Sequence, residues 1–234
     1  MVERDDTIDL RALILEHIGR YRISFLPVME RVFAGLGDVK GTVQKLQKAG
    51  LITALGRTAG YGSIFGGYTA YQTTAKGAKQ AGFTVKRAKK LEENALEISF
   101  RILWLCCMGK PRYRRLEERH LVQLFGHPLK SKNGYYCMEM KGERRVYRIR
   151  LIGQESDDEY ALRETRKDLV ECGELPILKE FCQHARYGNL LVVSKPERRR
   201  RLEERVNKQG LKQLGHVRVA QVPDLAEIGG AFRD

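Results

Sequence analysis

The chain has 234 residues, 42% of them hydrophobic and 31% charged, with a formal net charge of +14. That apolar share suffices for a core and excludes a wholly disordered chain, while the excess of cations points to a polyanionic partner, nucleic acid or anionic lipid. The longest apolar stretch, "ILWLCCM", is too short to cross a bilayer, and the polar, acidic start "MVERDDTIDL" is unlike a secretory leader, so a soluble cytoplasmic protein without a membrane partner is expected.

In chain order, acids and Thr7 precede a helical pattern in "DDTIDLRALILEHIGRY", with Ile8, Leu10, Leu13, Ile14 and Ile18 on one broad face. "SFLPVMERVFAGLG" follows as a short second helix, with Ser24 as its N-cap and Pro27 in its first turn. Asp38 caps a third helix, "VKGTVQKLQKAG". Its Val39, Val43 and Leu46 turn inward, its Lys40, Gly41, Gln44, Lys45 and Lys48 turn outward, and Gly50 ends it. "LITAL" and "YTAYQTT" are β-prone and flank residues 56–67, which hold five glycines. Glycine accepts positive φ and lets the backbone lie close to a surface, so this run reads as a hairpin tip.

Helix–helix–helix–strand–tip–strand is the order of a winged helix-turn-helix. "KLQKAGLI" resembles the passage from recognition helix to first wing strand in winged-helix regulators, and "YTAYQTTAKGAKQAG" resembles the segment that closes many such domains. The resemblance covers about the first third of the chain. It implies a double-stranded DNA partner met by Lys40, Gly41, Thr42, Gln44, Lys45 and Lys48. Lys40, Gly41 and Gln44 lie near the base edges, and Lys45 and Lys48 are placed for phosphates. From the wing tip, Arg57 supplies charge and Tyr61 and Ser63 supply phosphate donors. Two other readings of the glycines compete. Gly60, Gly62 and Gly66 give G-x-G-x-x-x-G, one residue off a dinucleotide fingerprint, but no helix follows them, and a plain linker would lack the flanking tyrosines and β-branched residues.

"VKRAKKLEENALEISFRILWLCCMG" reads as a long linking helix. Its apolar half, with Trp104, either packs on the next domain or pairs with a second copy. A homodimer is expected, because half-sites on one face of DNA call for two-fold symmetry. Beyond residue 109, "GKPRYRRLEERHLVQLFG" is predicted as a helix. "GYYCMEMKGERRVYRIRLIG" is predicted as a hairpin turning at Lys141-Gly142, with Tyr147, Ile149 and Leu151 inward and Arg148 and Arg150 outward. Ser156 and Glu159 form a capping box before "YALRETRKDLVEC", and Pro176 starts "ILKEFCQHAR". "NLLVVS" is a buried strand, Ser194 and Glu197 cap "KPERRRRLEERVNKQG", and "HVRVAQV" is the last strand. The predicted fold class is therefore α+β: a winged helix-turn-helix over residues 1–84, a linking helix over 85–108 and a small α/β domain over 109–234.

That order, with "NLLVVSKPERRRRLEERV" near its end, resembles the replication-relaxation family of plasmid and mobile-element proteins. The resemblance implies a C-terminal part similar to a degenerate restriction-endonuclease fold. The favoured function is a DNA-binding regulator or a replication or mobilisation accessory factor, not an enzyme, with no cofactor or metal.

A metal-dependent nuclease is the alternative, since it needs an Asp and an E-x-K set to hold Mg²⁺ and steady the attacking water. Glu139-Met140-Lys141 is an E-x-K, but it falls at the hairpin tip, and no Asp occurs between Asp38 and Asp157. Asp157, Asp158 and Glu159 instead suit the start of a helix. RNA or protein binding through the same basic module stays open. Arg198–Arg201 read either as a solvated face paired with Glu203 and Glu204 or as phosphate contacts. Cys106, Cys107, Cys137, Cys172 and Cys182, without a C-x-x-C pair, read as reduced core residues.

Overall fold

The computed structural model describes residues 9–55, 68–126, 134–140, 144–184 and 186–227. They form a mixed α+β chain, helical toward the N-terminus with a larger sheet toward the C-terminus. Two compact units result: one runs to Leu103 and takes in the segment from Leu225, and the other is Trp104–Asp224.

The first unit holds α1 (Leu10–Tyr21), β1 (Ser24–Phe25), α2 (Leu26–Val32), α3 (Val39–Lys48), β2 (Ile52–Leu55), β3 (Ala70–Thr73) and α4 (Ala75–Gln80). The strands form an antiparallel sheet in the order β1-β3-β2, with Ile52 opposite Thr73 and Leu55 opposite Ala70. Ile14, Leu15, Ile18, Met29, Val43, Leu46 and Ile52 make one apolar cluster. Asp9 caps α1 by accepting from the N–H groups of Arg11 and Ala12. The predicted face of α1 is corrected: Leu13 is 37% exposed, and Leu15 at 2% joins Ile14 and Ile18 inside. Ile8 lies outside the described residues.

Ser24 does not cap α2. It sits in β1 opposite Tyr71, its Oγ lies 3.0 Å from His17 Nε2, and α2 starts without a side-chain cap on the preset φ of Pro27.

The linking helix is shorter than predicted. Residues Val85–Ala88 form a 3₁₀ turn, and the helix, α5, spans Glu93–Cys107. The buried Gln72 amide causes this: its Nε2 donates to the carbonyls of Arg87 at 3.0 Å and Lys89 at 2.8 Å, oxygens that a continuous α-helix would use itself. Leu96, Phe100, Ile102, Leu103, Leu105 and Cys106 are all buried.

The second unit carries a five-stranded sheet in the order β4 (Tyr113–Leu116), β5 (Tyr135–Glu139), β6 (Val146–Leu151), β7 (Tyr187–Val193) and β8 (His216–Gln221). The strands β4 to β6 are an antiparallel meander, and β6 to β8 run parallel. Its helices are α6 (Glu118–Phe125), α7 (Asp158–Glu174), α8 (Pro176–Gln183), α9 (Pro196–Lys208) and α10 (Leu211–Leu214). "YRRL", predicted as helix, is strand β4, because pairing Tyr113 with Glu139 and Leu116 with Tyr136 completes the meander. Every residue of β7 is buried, as its unbroken apolar run suggested. Asp157 rather than Ser156 caps α7, accepting from Glu159 N–H at 2.9 Å, and α9 opens without a side-chain cap. The turn at Lys141-Gly142 lies outside the described residues.

His17 couples the first unit to pH. Burial, and then the Arg20 guanidinium, push its pKa from 6.5 down to about 3. Below pH 6.5 the unfolded chain takes up a proton that the folded imidazole refuses until about 3, so stability is complete above that window and declines as pH falls through it. The slope is at most ~1.4 kcal/mol per pH unit. Urea midpoints should fall from pH 7 to 5 in the parent and less in His17→Asn; equal slopes would contradict this origin.

Candidate nucleic-acid interface

The first turn of α3 is fixed by its own sequence. Asp38 accepts from Gly41 N–H at 2.8 Å, and Thr42 Oγ1 donates to the Asp38 carbonyl at 2.7 Å. A Cβ at Gly41 would stand 2.0 Å from Asp38 Oδ2, so a larger residue there would need the Asp38 carboxylate to shift. Val39, Val43 and Leu46 are buried, while Lys40, Gln44, Lys45 and Lys48 are exposed, as predicted. The helix thus brings Lys40, Gly41, Thr42, Gln44, Lys45 and Lys48 onto one element, with the Thr42 hydroxyl already engaged by the backbone. Gly50, at φ +66°, turns the chain into β2. The tip residues Arg57, Tyr61 and Ser63 lie outside the described residues.

One neighbouring element was missed by the sequence reading. Thr74 Oγ1 caps α4 by accepting from Gly77 N–H at 3.1 Å, and the same hydroxyl lies 2.7 Å from the Gly50 carbonyl oxygen and 3.2 Å from that of Leu51. Gly77 packs directly on this junction. Lys76 Nζ reaches the Ala49 carbonyl, at the C-terminal end of α3, at 3.4 Å. A signal for these lysines was present: residues 39–91 contain no Asp or Glu, yet they carry ten Lys and Arg, three in α3, one at Arg57, two in α4 and four at 86–90.

The cations of the second unit are arranged differently. Arg148 and Arg150 do not face solvent freely. Arg148 pairs with the buried Asp168 of α7, which also accepts from Asn189 Nδ2 at 2.8 Å and Tyr187 OH at 3.1 Å. Arg150 donates to Asn189 Oδ1 at 2.9 Å and to the Glu164 carbonyl at 2.7 Å. Beside this network burial pushes the Cys172 thiol and the Tyr136 hydroxyl up to about 12.

The run Arg198–Arg201 is divided. Arg198 and Arg201 both clamp the Asp158 carboxylate, and Arg198 also donates to the carbonyls of Gly153, Gln154 and Ser156. Arg199 alone makes the expected pair with Glu203, at 2.9 Å.

Glu139, from the E-x-K, ends β5 with its carboxylate 3.4 Å from Arg218 Nη1 and 3.5 Å from Tyr147 OH, beside a cavity of about 660 Å³. Lys141 is outside the described residues. Among the described residues no three His, Cys, Asp or Glu side chains gather in a metal-binding arrangement. Cys106, Cys107, Cys137 and Cys172 are buried, Cys182 is half-buried, and none is in a disulfide. No described helix is long and apolar enough to cross a membrane. No family model, curated protein or solved structure matches the chain.

The packing of α4 on Leu51, just past α3, depends on Gly77. An added Cβ would lie 1.9 Å from the Leu51 carbonyl oxygen, which already accepts from Thr74 N–H. Gly77→Ala should cost about 1–3 kcal/mol, at the upper end because the obstacle is backbone. Gly173→Ala in α7, with nothing within 4 Å of the new methyl, should be neutral or stabilising. Equal urea midpoints for the two variants would contradict the geometry.

Proposed function

We propose that the chain is a double-stranded DNA-binding protein. In this reading its N-terminal part is a winged helix-turn-helix, with α3 as recognition helix and residues 56–67 as wing tip. The observation that carries it is the division of α3: an apolar face buried on α1 and α2, and an exposed face of Lys40, Gln44, Lys45 and Lys48 inside a stretch without a single acid. Such a stretch has no carboxylate of its own to neutralise it, so phosphates are its natural counter-ions, and their contact releases condensed cations from DNA. Gln44, a bidentate donor and acceptor, suits an adenine edge, whereas the lysines suit phosphates.

Binding as a homodimer belongs to the proposal. The cellular role proposed with it is transcriptional regulation, or replication or mobilisation of a plasmid or other mobile element. An antiparallel meander running into parallel strands supports the restriction-endonuclease-like reading of the second unit.

Fluorescence anisotropy with duplexes from the DNA flanking the gene tests this. Gln44→Ala should cost about 1–3 kcal/mol at the preferred site and relax sequence preference. Lys48→Ala and Arg57→Ala should weaken all sequences alike and make log K against log salt shallower by about 0.9 each. Duplex RNA should compete poorly, since side chains do not enter its deep, narrow major groove. Absence of duplex binding at low salt, or unchanged slopes in both charge variants, would overturn the proposal.

A further inference from the structure

We infer that α4 is a second phosphate-contact element of the same DNA interface, its Lys76 and Lys79 continuing the track of Lys45 and Lys48 past the C-terminal end of α3; this rests on the DNA-binding reading proposed above. Three observations place it there. Thr74 and Gly77 lock the start of α4 onto Gly50 and Leu51, the residues that leave α3, so the two helices form one junction. Lys76 lies against the last carbonyls of α3, within reach of whatever lies beyond Lys48. Lys79, one turn along α4, is exposed like Lys76, and no acid lies between residues 39 and 91 to claim either.

Charge alone does not single out α4, because Lys86, Lys89 and Lys90 are equally exposed. The strand register separates the two groups. Tyr71 of β3 packs on the α1–α3 cluster, so Gln72, the next residue, points from the opposite face of the sheet. There its amide holds the carbonyls of Arg87 and Lys89. The carbonyls of Arg87 and Lys89 therefore lie on the face of β3 opposite the α1–α3 cluster, whereas the start of α4 is tied to Gly50 and Leu51 at the end of α3.

Salt titration of the full chain with a fluorescein-labelled random-sequence duplex tests position against charge. Lys76→Gln/Lys79→Gln should make the log K–log salt slope shallower by about 1.8, at 0.9 per lost phosphate contact. Lys86→Gln/Lys89→Gln/Lys90→Gln removes one more charge but should change it by under about 1. A purely structural role for Lys76, capping α3, would lower the melting temperature and leave the slope alone; the Lys79→Gln single variant, which touches no α3 carbonyl, should still move the slope by about 0.9. A double-variant slope equal to the parent's, or a triple variant that moves it more, overturns the inference while parent binding stands. A parent that fails to bind duplex DNA overturns the DNA-binding reading and this inference with it.

Discussion

Residues 39–91 must fold with ten cations and no acid of their own, and the first unit is arranged around that constraint. Ion pairing within the stretch is unavailable, so its elements are held by apolar burial and by side chains aimed at backbone oxygens. Val39, Val43 and Leu46 anchor α3, Thr74 ties α4 to Gly50 and Leu51, and Gln72 pins the 85–89 turn. Each of these devices stabilises structure without consuming a positive charge. Lys40, Lys45, Lys48, Lys76 and Lys79 are left at the surface, where mutual repulsion opposes compaction and an external polyanion relieves it.

The second unit solves the opposite problem. Several of its arginines are paired with buried acids: Arg148 and Arg150 onto the Asp168 network under α7, Arg198 and Arg201 onto Asp158 at the start of that helix. Asp158 and Asp168 are both buried, and removing one partner of such a network leaves the other charge desolvated and uncompensated. The Asp168 network ties α7 to the sheet and the Asp158 clamp ties α9 to α7, so the run of four arginines that stands out in the sequence contributes less free charge than the scattered lysines of the first unit.

What the sequence disclosed follows the range of the forces involved. Local signals survived: Asp38 as a cap, the inward triplet of α3, Pro176 at a helix start, and the continuous burial of β7. Long-range partners were illegible. "YRRL" became a strand because residues 135–139 offered a pairing edge, Ser24 left its cap position for β3 and His17, and the helix beginning at residue 85 gave way to Gln72, whose partners lie 15 and 17 residues away. Of the candidate site, the α3 face was readable from periodicity. The contribution of α4 was not, since only the junction with Leu51 brings Lys76 beside α3.

The central claim is that polyanion binding resides in the acid-free stretch, not in the arginine-rich helix α9. Lysine acetylation footprinting of the full chain, with and without saturating duplex DNA, tests it residue by residue. Lys40, Lys45 and Lys48 should be protected by DNA, and Lys195, Lys208 and Lys212 should react as in the free protein. Protection of the second set with free reaction of the first would contradict the account.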